Sequence, residues 1–189
     1  MAHATGDDQE LVRQLARGDQ AAFHACYERY QGPIFRYAWH MSGNRTNAEE
    51  VTQEVFLRLI HKPKLFDAAK GTLAGYLFGI ARNVMRRERA ATFLDVPLDD
   101  AERAEDPSLM AEPDVLGELD RQERLELLHK SVLALPAAYR EALVLCDVEE
   151  MSYPEAAAIL ECPEGTVASR LHRARTMLKS RLQAVRCVR

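Results

Sequence analysis

Thr166, Ser169, Arg170, Arg173 and Arg175 lie close together near the C-terminus, beside a regular apolar repeat. Their chemistry is recognition rather than bond-making. An arginine fork matches a guanine edge with two hydrogen bonds, and hydroxyls bond to phosphate or base. The chain contains neither a Gly-rich phosphate loop nor an HExxH pair, so no nucleotide site or zinc-hydrolase site is expected. Its six histidines are His3, His24, His40, His61, His129 and His172, and its four cysteines are Cys26, Cys146, Cys162 and Cys187. His24 and Cys26 are close in sequence, but no second pair completes a metal site. No CxxC spacing suggests a disulfide scaffold or structural zinc. The expectation is a protein that is not an enzyme, with no metal and no cofactor.

Two short helices must position that polar group. Ser152 and Glu155 have the spacing of a capping box around Tyr153 and Pro154. The segment YPEAAAIL follows, and its alanines permit close approach by another helix. Glu161-Cys162 makes the turn, and Pro163 suits the first turn of a new helix. There Val167, Leu171, Ala174, Leu178, Leu182 and Val185 form one apolar face at helical spacing. A basic run alone reads as a solvated surface favoured near a helix C-terminus. Capping box, tight turn and hydroxyl-guanidinium face together describe a helix-turn-helix that reads a major groove.

The rest of the chain supports an all-α protein of two small domains. Leu11, Val12 and Leu15 mark a first helix. A second starts after Asp19 and runs toward Gly32, and Pro33 opens another that closes at Ser42-Gly43. Asn47 and Glu50 resemble a capping box for a helix carrying Val51, Val55, Phe56, Leu59 and Ile60 on one face. The loop HKPKLFDAAKG precedes a helix from about Thr72 to Ala91, with Leu73, Leu77, Ile80, Ala81 and Val84 as its stripe. The pattern then fails through Pro97, Pro107 and Pro113, as expected of a mobile linker. It resumes with Leu125, Leu128, Val132 and Leu135, stops at Pro136, and a helix from Ala137 to about Asp147 follows.

Charge divides the chain the same way. The net charge of -4 hides an acidic middle, where residues 95–120 hold ten acids and one base. Residues 165–189 hold seven bases and no acid. Such asymmetry favours a polyanionic partner for the basic faces. The expected division is 1–94, an acidic linker 95–118, and 119–189.

These strings resemble a known family. LPAAYREALVLCDVEEMSYPEAAAILECPEGTVASRLHRARTMLKSRL is similar to domain four of bacterial sigma factors of the extracytoplasmic-function group. NAEEVTQEVFLRLI and GYLFGIARNVMRRERA are similar to domain two of the same group. The resemblance implies a factor that binds core RNA polymerase, directs it to promoter DNA and assists melting. It implies polymerase contact by Glu50, Gln53, Glu54 and Phe56, although Phe56 fits core packing equally well. It implies minus-ten recognition by Asn83 and the loop Phe66 to Gly75. Tyr76 and the phosphate contacts Arg82, Arg86 and Arg87 join them. It implies minus-thirty-five recognition by Thr166, Ser169, Arg170, Arg173 and Arg175. A separately encoded anti-sigma factor is a further implied partner, and no fused C-terminal regulatory domain is expected. Tyr76 stands where the family commonly has Trp, Glu161 where Gly is common, and Ala168 where a base is common. If residue 161 must be left-handed, Glu carries strain that Gly avoids.

No apolar run approaches the roughly 20 residues of a membrane span, and MAHATGDDQE lacks the features of a signal peptide. No membrane insertion and a cytoplasmic location are therefore expected. Two rival classes remain: a stand-alone DNA-binding regulator, which needs a dimerisation or sensing domain, and a helical interaction protein, which leaves the basic face unexplained.

Overall fold

The computed structural model describes the backbone of residues 5–92 and 121–187 and the side chains of 8–88 and 125–183. The acidic linker 95–118 lies outside the described residues. The described chain is helical and without strands: α1 (Thr5–Ala16), α2 (Gln20–Ser42), α3 (Arg45–His61), α4 (Leu73–Thr92), α5 (Arg121–Leu133), α6 (Ala137–Leu143), α7 (Tyr153–Leu160) and α8 (Glu164–Cys187). A 3-10 turn covers Pro63–Leu65, and a π turn, Val144–Val148, continues α6.

Helix α2 is one helix, not the two expected on either side of Gly32. Pro33 lies inside it. Proline in a helix interior costs about 3 kcal/mol through a lost hydrogen bond and a clash. Burial outweighs that cost, because Ala22, Cys26, Tyr30, Ile34, Tyr37, Ala38 and Met41 form one uninterrupted buried face. Breaking the helix would take half of that face out of register. Asp19 caps its start by accepting from the Ala21 and Ala22 amides. Gly43 ends it at φ 69°, and a Cβ there would come within 2.9 Å of Leu133. Glycine takes up this left-handed conformation without strain, and a Cβ there would push the tip of the Leu133 side chain aside.

The α3 cap also differs from expectation. Asn44 is the N-cap, and its side chain accepts from the Asn47 amide. Val51, Val55, Phe56 and Leu59 are buried as expected, but Ile60 is 47 % exposed. On α5 Val132 is buried, as is Leu135 just beyond its end, whereas Leu125 and Leu128 are exposed. On α4, Leu73, Leu77, Ala81 and Val84 are buried; Ile80 is half-buried, and Phe78 joins the core instead.

One buried acid ties the first half together. Asp8 on α1 accepts from the Leu73 amide at the start of α4 (3.1 Å) and from the Tyr30 hydroxyl (3.4 Å). Arg29 lies 3.6 Å from the same carboxylate. Asp8 thus supplies, from another helix, an acceptor for one of the orphan amides of α4. Burial, followed by the Asp8 charge, pushes the Tyr30 hydroxyl pKa up, and the same two causes push the Cys26 thiol up to about 12.

The two halves pack against each other. Tyr37 on α2 donates to Glu141 Oε1 on α6 (3.0 Å), and Arg82 Nε on α4 donates to the same oxygen (3.0 Å). Arg36 forms a two-pronged pair with Glu149 at 3.0 and 2.8 Å. Arg140 Nη1 donates to the Met41 carbonyl (2.9 Å), and Nη2 donates to the Leu133 and Leu135 carbonyls.

Asp8→Ala is expected to destabilise the protein by about 2–4 kcal/mol, because it strands a buried amide and hydroxyl and removes one partner of Arg29. Asp8→Asn should cost less. Urea denaturation followed by circular dichroism reads both, and an unchanged midpoint for Asp8→Ala would remove Asp8 from its role in the fold.

Candidate nucleic-acid interface

The helix-turn-helix forms as its residues dictate. The Ser152 hydroxyl accepts from the Glu155 amide (3.4 Å), while the Ser152 amide donates to Glu155 Oε2 (3.0 Å). Pro154 occupies the first turn of α7, where its missing amide hydrogen costs nothing. Ala156, Ile159 and Leu160 are buried. Glu161 ends α7 at φ 55°, ψ 42°, the left-handed conformation that strains a residue with a Cβ. Helix α8 begins at Glu164, one residue after Pro163, whose carbonyl accepts from the Thr166 and Val167 amides.

The apolar face of α8 is buried at Val167, Leu171 and Ala174, and Leu178 packs at its edge. At 100° per residue, Thr166, Ser169, Arg170 and Arg173 fall within one arc of about 100° on a different side. Ser169 and Arg173 are exposed; Thr166 and Arg170 are half-buried. Ser169 donates to the Thr166 carbonyl (2.9 Å), Arg170 reaches Cys162 Sγ (3.8 Å), and Arg173 donates to the Tyr139 hydroxyl (3.1 Å). Arg175 does not share that arc. It sits about 200° round from Arg173 and is held by Asp147 at 2.9 and 2.6 Å. Its grip on the π turn orients α8 against α6.

On α4, Tyr76, Asn83, Arg86 and Arg87 also share one arc, with Gly79 between them. Asn83, Arg86 and Arg87 are exposed. Half-buried Tyr76 packs its ring 5.7 Å from that of Phe66, so the loop and α4 meet through aromatic contact. Burial pushes the Tyr76 hydroxyl pKa up. Arg82 lies at the edge of this arc with its side chain only 13 % exposed, turned toward Glu141, the Leu160 carbonyl and Glu161. A cavity of about 430 Å³ separates Phe66, Tyr76 and Asn83 from Pro154, Ala158 and Ile159 of α7.

On α3, Glu50 and Gln53 are exposed, and Glu54 pairs with Arg58 at 2.6 Å. Phe56 is a core residue, edge-on to Phe23 and 4.8 Å from the Tyr27 ring. The exposed apolar atoms beside Gln53 come from Tyr27, Leu57 and Ile60, which line a groove between α2 and α3. Sequence reasoning missed Tyr27 and Leu57 and assigned Ile60 to the core. The step from Phe56 to Leu57 and Ile60 makes the apolar stripe of α3 wider than one buried face requires.

Family comparison fits both halves. Residues 26–92 match sigma-70 region 2, and residues 125–178 match sigma-70 region 4. The chain is 32 % identical to the ECF RNA polymerase sigma factor SigW of Bacillus subtilis, over 93 % of this chain and 96 % of that protein.

The chain belongs to the ECF sigma factors.

It is also 35 % identical to SigE of Mycolicibacterium smegmatis, over 88 % of this chain and 65 % of that one. Among solved structures, CnrH in complex with the cytosolic domain of CnrY superposes with a TM-score of 0.69 at 28 % identity, covering 94 % of this chain and 97 % of that one. As a sigma factor, the protein directs RNA polymerase to promoters in transcription initiation. Among its described residues, no helix is long and apolar enough to cross a membrane.

The left-handed turn gives a direct test of local strain in this sigma factor. Glu161→Gly is expected to stabilise the protein by about 1 kcal/mol, whereas Glu161→Ala, which keeps the Cβ, should not. Thermal unfolding of the two variants separates backbone relief from loss of the 3.8 Å approach to Arg82. Equal behaviour of Gly and Ala would show that the turn carries no strain.

Proposed function

We propose that residues 1–94 form the polymerase-binding and minus-ten domain and residues 119–189 the minus-thirty-five domain, joined by the acidic segment 95–118. The observation that carries the reading is the polar arc of α8, where Thr166, Ser169, Arg170 and Arg173 stand clear of the buried Val167, Leu171 and Ala174. A recognition helix needs this division: one face fixed to the domain and one free to enter the groove. Arg173 is the leading candidate for base contact. Arg175, committed to Asp147, acts by orienting the helix.

On α4, Asn83 offers an amide edge to an extruded base, Tyr76 supplies aromatic surface, and Arg86 and Arg87 supply cations for phosphate. Arg82 joins them once it leaves Glu141. The groove formed by Tyr27, Gln53, Leu57 and Ile60, flanked by Glu50 and Glu54, suits a helix of core polymerase that offers apolar and basic side chains. Phe56 shapes that groove from beneath. The sigma factor performs no covalent chemistry, since nucleotide addition belongs to the polymerase, and it acts in the cytoplasm. The solved CnrH structure holds the cytosolic domain of CnrY. A protein inhibitor of the anti-sigma kind, encoded separately, is the corresponding partner here.

Reconstitution with core polymerase tests the assignment. Arg173→Ala should lower transcription through the minus-thirty-five element by a lost base contact of about 1–3 kcal/mol and relax specificity at one position. Lys179, exposed and further along α8, is the control whose loss should weaken all sequences alike if it touches phosphate. Wild-type transcription by Arg173→Ala from every promoter would take Arg173 out of the interface. On a pre-melted template, Asn83→Ala should lose preference for the minus-ten base while keeping closed-complex formation. Full retention of that preference would reject the assignment of Asn83.

A further inference from the structure

A cluster of rings joins the two halves where α5 crosses α2. The His129 ring stacks on Trp39 at 3.8 Å, with 12° between planes. Its Nδ1 lies 3.1 Å from Nδ1 of His40. Such a contact needs one nitrogen to carry a hydrogen and the other to present a lone pair. It therefore exists while the accepting ring is neutral. Once both rings are protonated, two N–H groups stand face to face and the bond is gone.

The surroundings decide whether a charge is tolerated. Both rings are partly buried. The charged neighbours acting on them are cations: Arg36, one turn before His40 on α2, and Arg140 on α6. Arg36 is engaged by Glu149, whose carboxyl pKa is raised chiefly by burial, against the pull of Arg36. Stacking on Trp39 favours charge on His129 through the electron-rich ring face. Burial and Arg140 oppose it, and the His129 pKa is lowered on balance. For His40, burial first, then His129 and Arg36, lower the pKa from 6.5 to about 4.

We propose that His40, His129 and Trp39 form an acid-released latch: when neutral it clamps α5 onto α2 and holds the two halves of the sigma factor closed, and its protonation lets them part.

The direction follows from linkage. A histidine whose pKa is lower in the closed form binds its proton more readily in the open form. The closing contribution is complete above about pH 6.5 and is lost as pH falls below it. Between pH 7.5 and 5.5, His40 alone would raise the open-to-closed ratio about tenfold. Glu149 acts oppositely, since a carboxyl pKa raised by burial in the closed form favours closure as the group protonates. Parting would free Arg82 from Glu141 and uncover the α4 arc. What is uncovered rests on the assignments above; the parting itself does not.

The experiment therefore reads only opening. Trp39 is the single tryptophan of the chain, so acrylamide quenching of its fluorescence reports the latch directly. Sedimentation velocity at micromolar protein reports the overall change of shape, and helicity by circular dichroism checks that the fold persists. In the full-length wild type, quenching should rise and the sedimentation coefficient of the monomer should fall from pH 7.5 to 5.5. His40→Gln/His129→Gln, which keeps polar rings out and charge absent, should show no such pH response. A wild type unchanged over this range, or a double variant with the same response, would overturn the latch whether or not the promoter-contact residues are correct.

Discussion

The arrangement of the two halves turns on one carboxylate. Glu141 sits between Tyr37 and Arg82, accepting from both at 3.0 Å, with its side chain only 14 % exposed. An acid so placed must be paired, because an uncompensated buried charge costs several kcal/mol. Tyr37 and Arg82 belong to the first half and Glu141 to the second, so satisfying one acid requires the halves to meet. Arg36 and Glu149 repeat the device one residue earlier on α2. These contacts place α7 opposite the α4 arc and enclose the cavity beside Phe66 and Tyr76.

An interface built this way differs from a hydrophobic core in how it comes apart. Buried apolar surface exposed to water keeps its full penalty, about 25 cal/mol per Å². A separated ion pair is rehydrated, and its net worth when buried is close to break-even. Guanidinium, carboxylate, phenol and imidazole groups take part in the contacts between halves, alongside apolar side chains that belong to one buried cluster spanning both. Arg82 illustrates the consequence: the donors it gives to Glu141 and the Leu160 carbonyl are the ones a phosphate would use, and it cannot serve both.

Much of the fold was legible in the sequence because local rules and burial agreed. The Ser152–Glu155 box, the Glu161 turn and the face Val167, Leu171, Ala174 formed where spacing placed them. Where the two disagreed, burial won. Pro33 reads locally as a helix start, yet the long buried face of α2 runs through it. Leu125, Leu128 and Ile60 have core-type side chains at helical spacing, but periodicity cannot say whether a partner covers the stripe. Asp8 was invisible for another reason: its partners, Leu73, Tyr30 and Arg29, are distant in sequence, and no periodic signal reports a remote cap.

The same limit explains the site. Spacing could group Thr166, Ser169, Arg170 and Arg173, because a helix converts sequence separation into angle. Arg175 entered that group by composition and left it by geometry, since two residues along a helix is over half a turn. Its partner, Asp147, lies across the helix-turn-helix in the π turn, which no local pattern announces. The histidines show the converse. His40 and His129 are 89 residues apart and follow no metal or catalytic spacing, so sequence gave each no role. Only the folding of one half onto the other turns two ordinary surface-type imidazoles into a pair whose contact depends on one of them staying neutral.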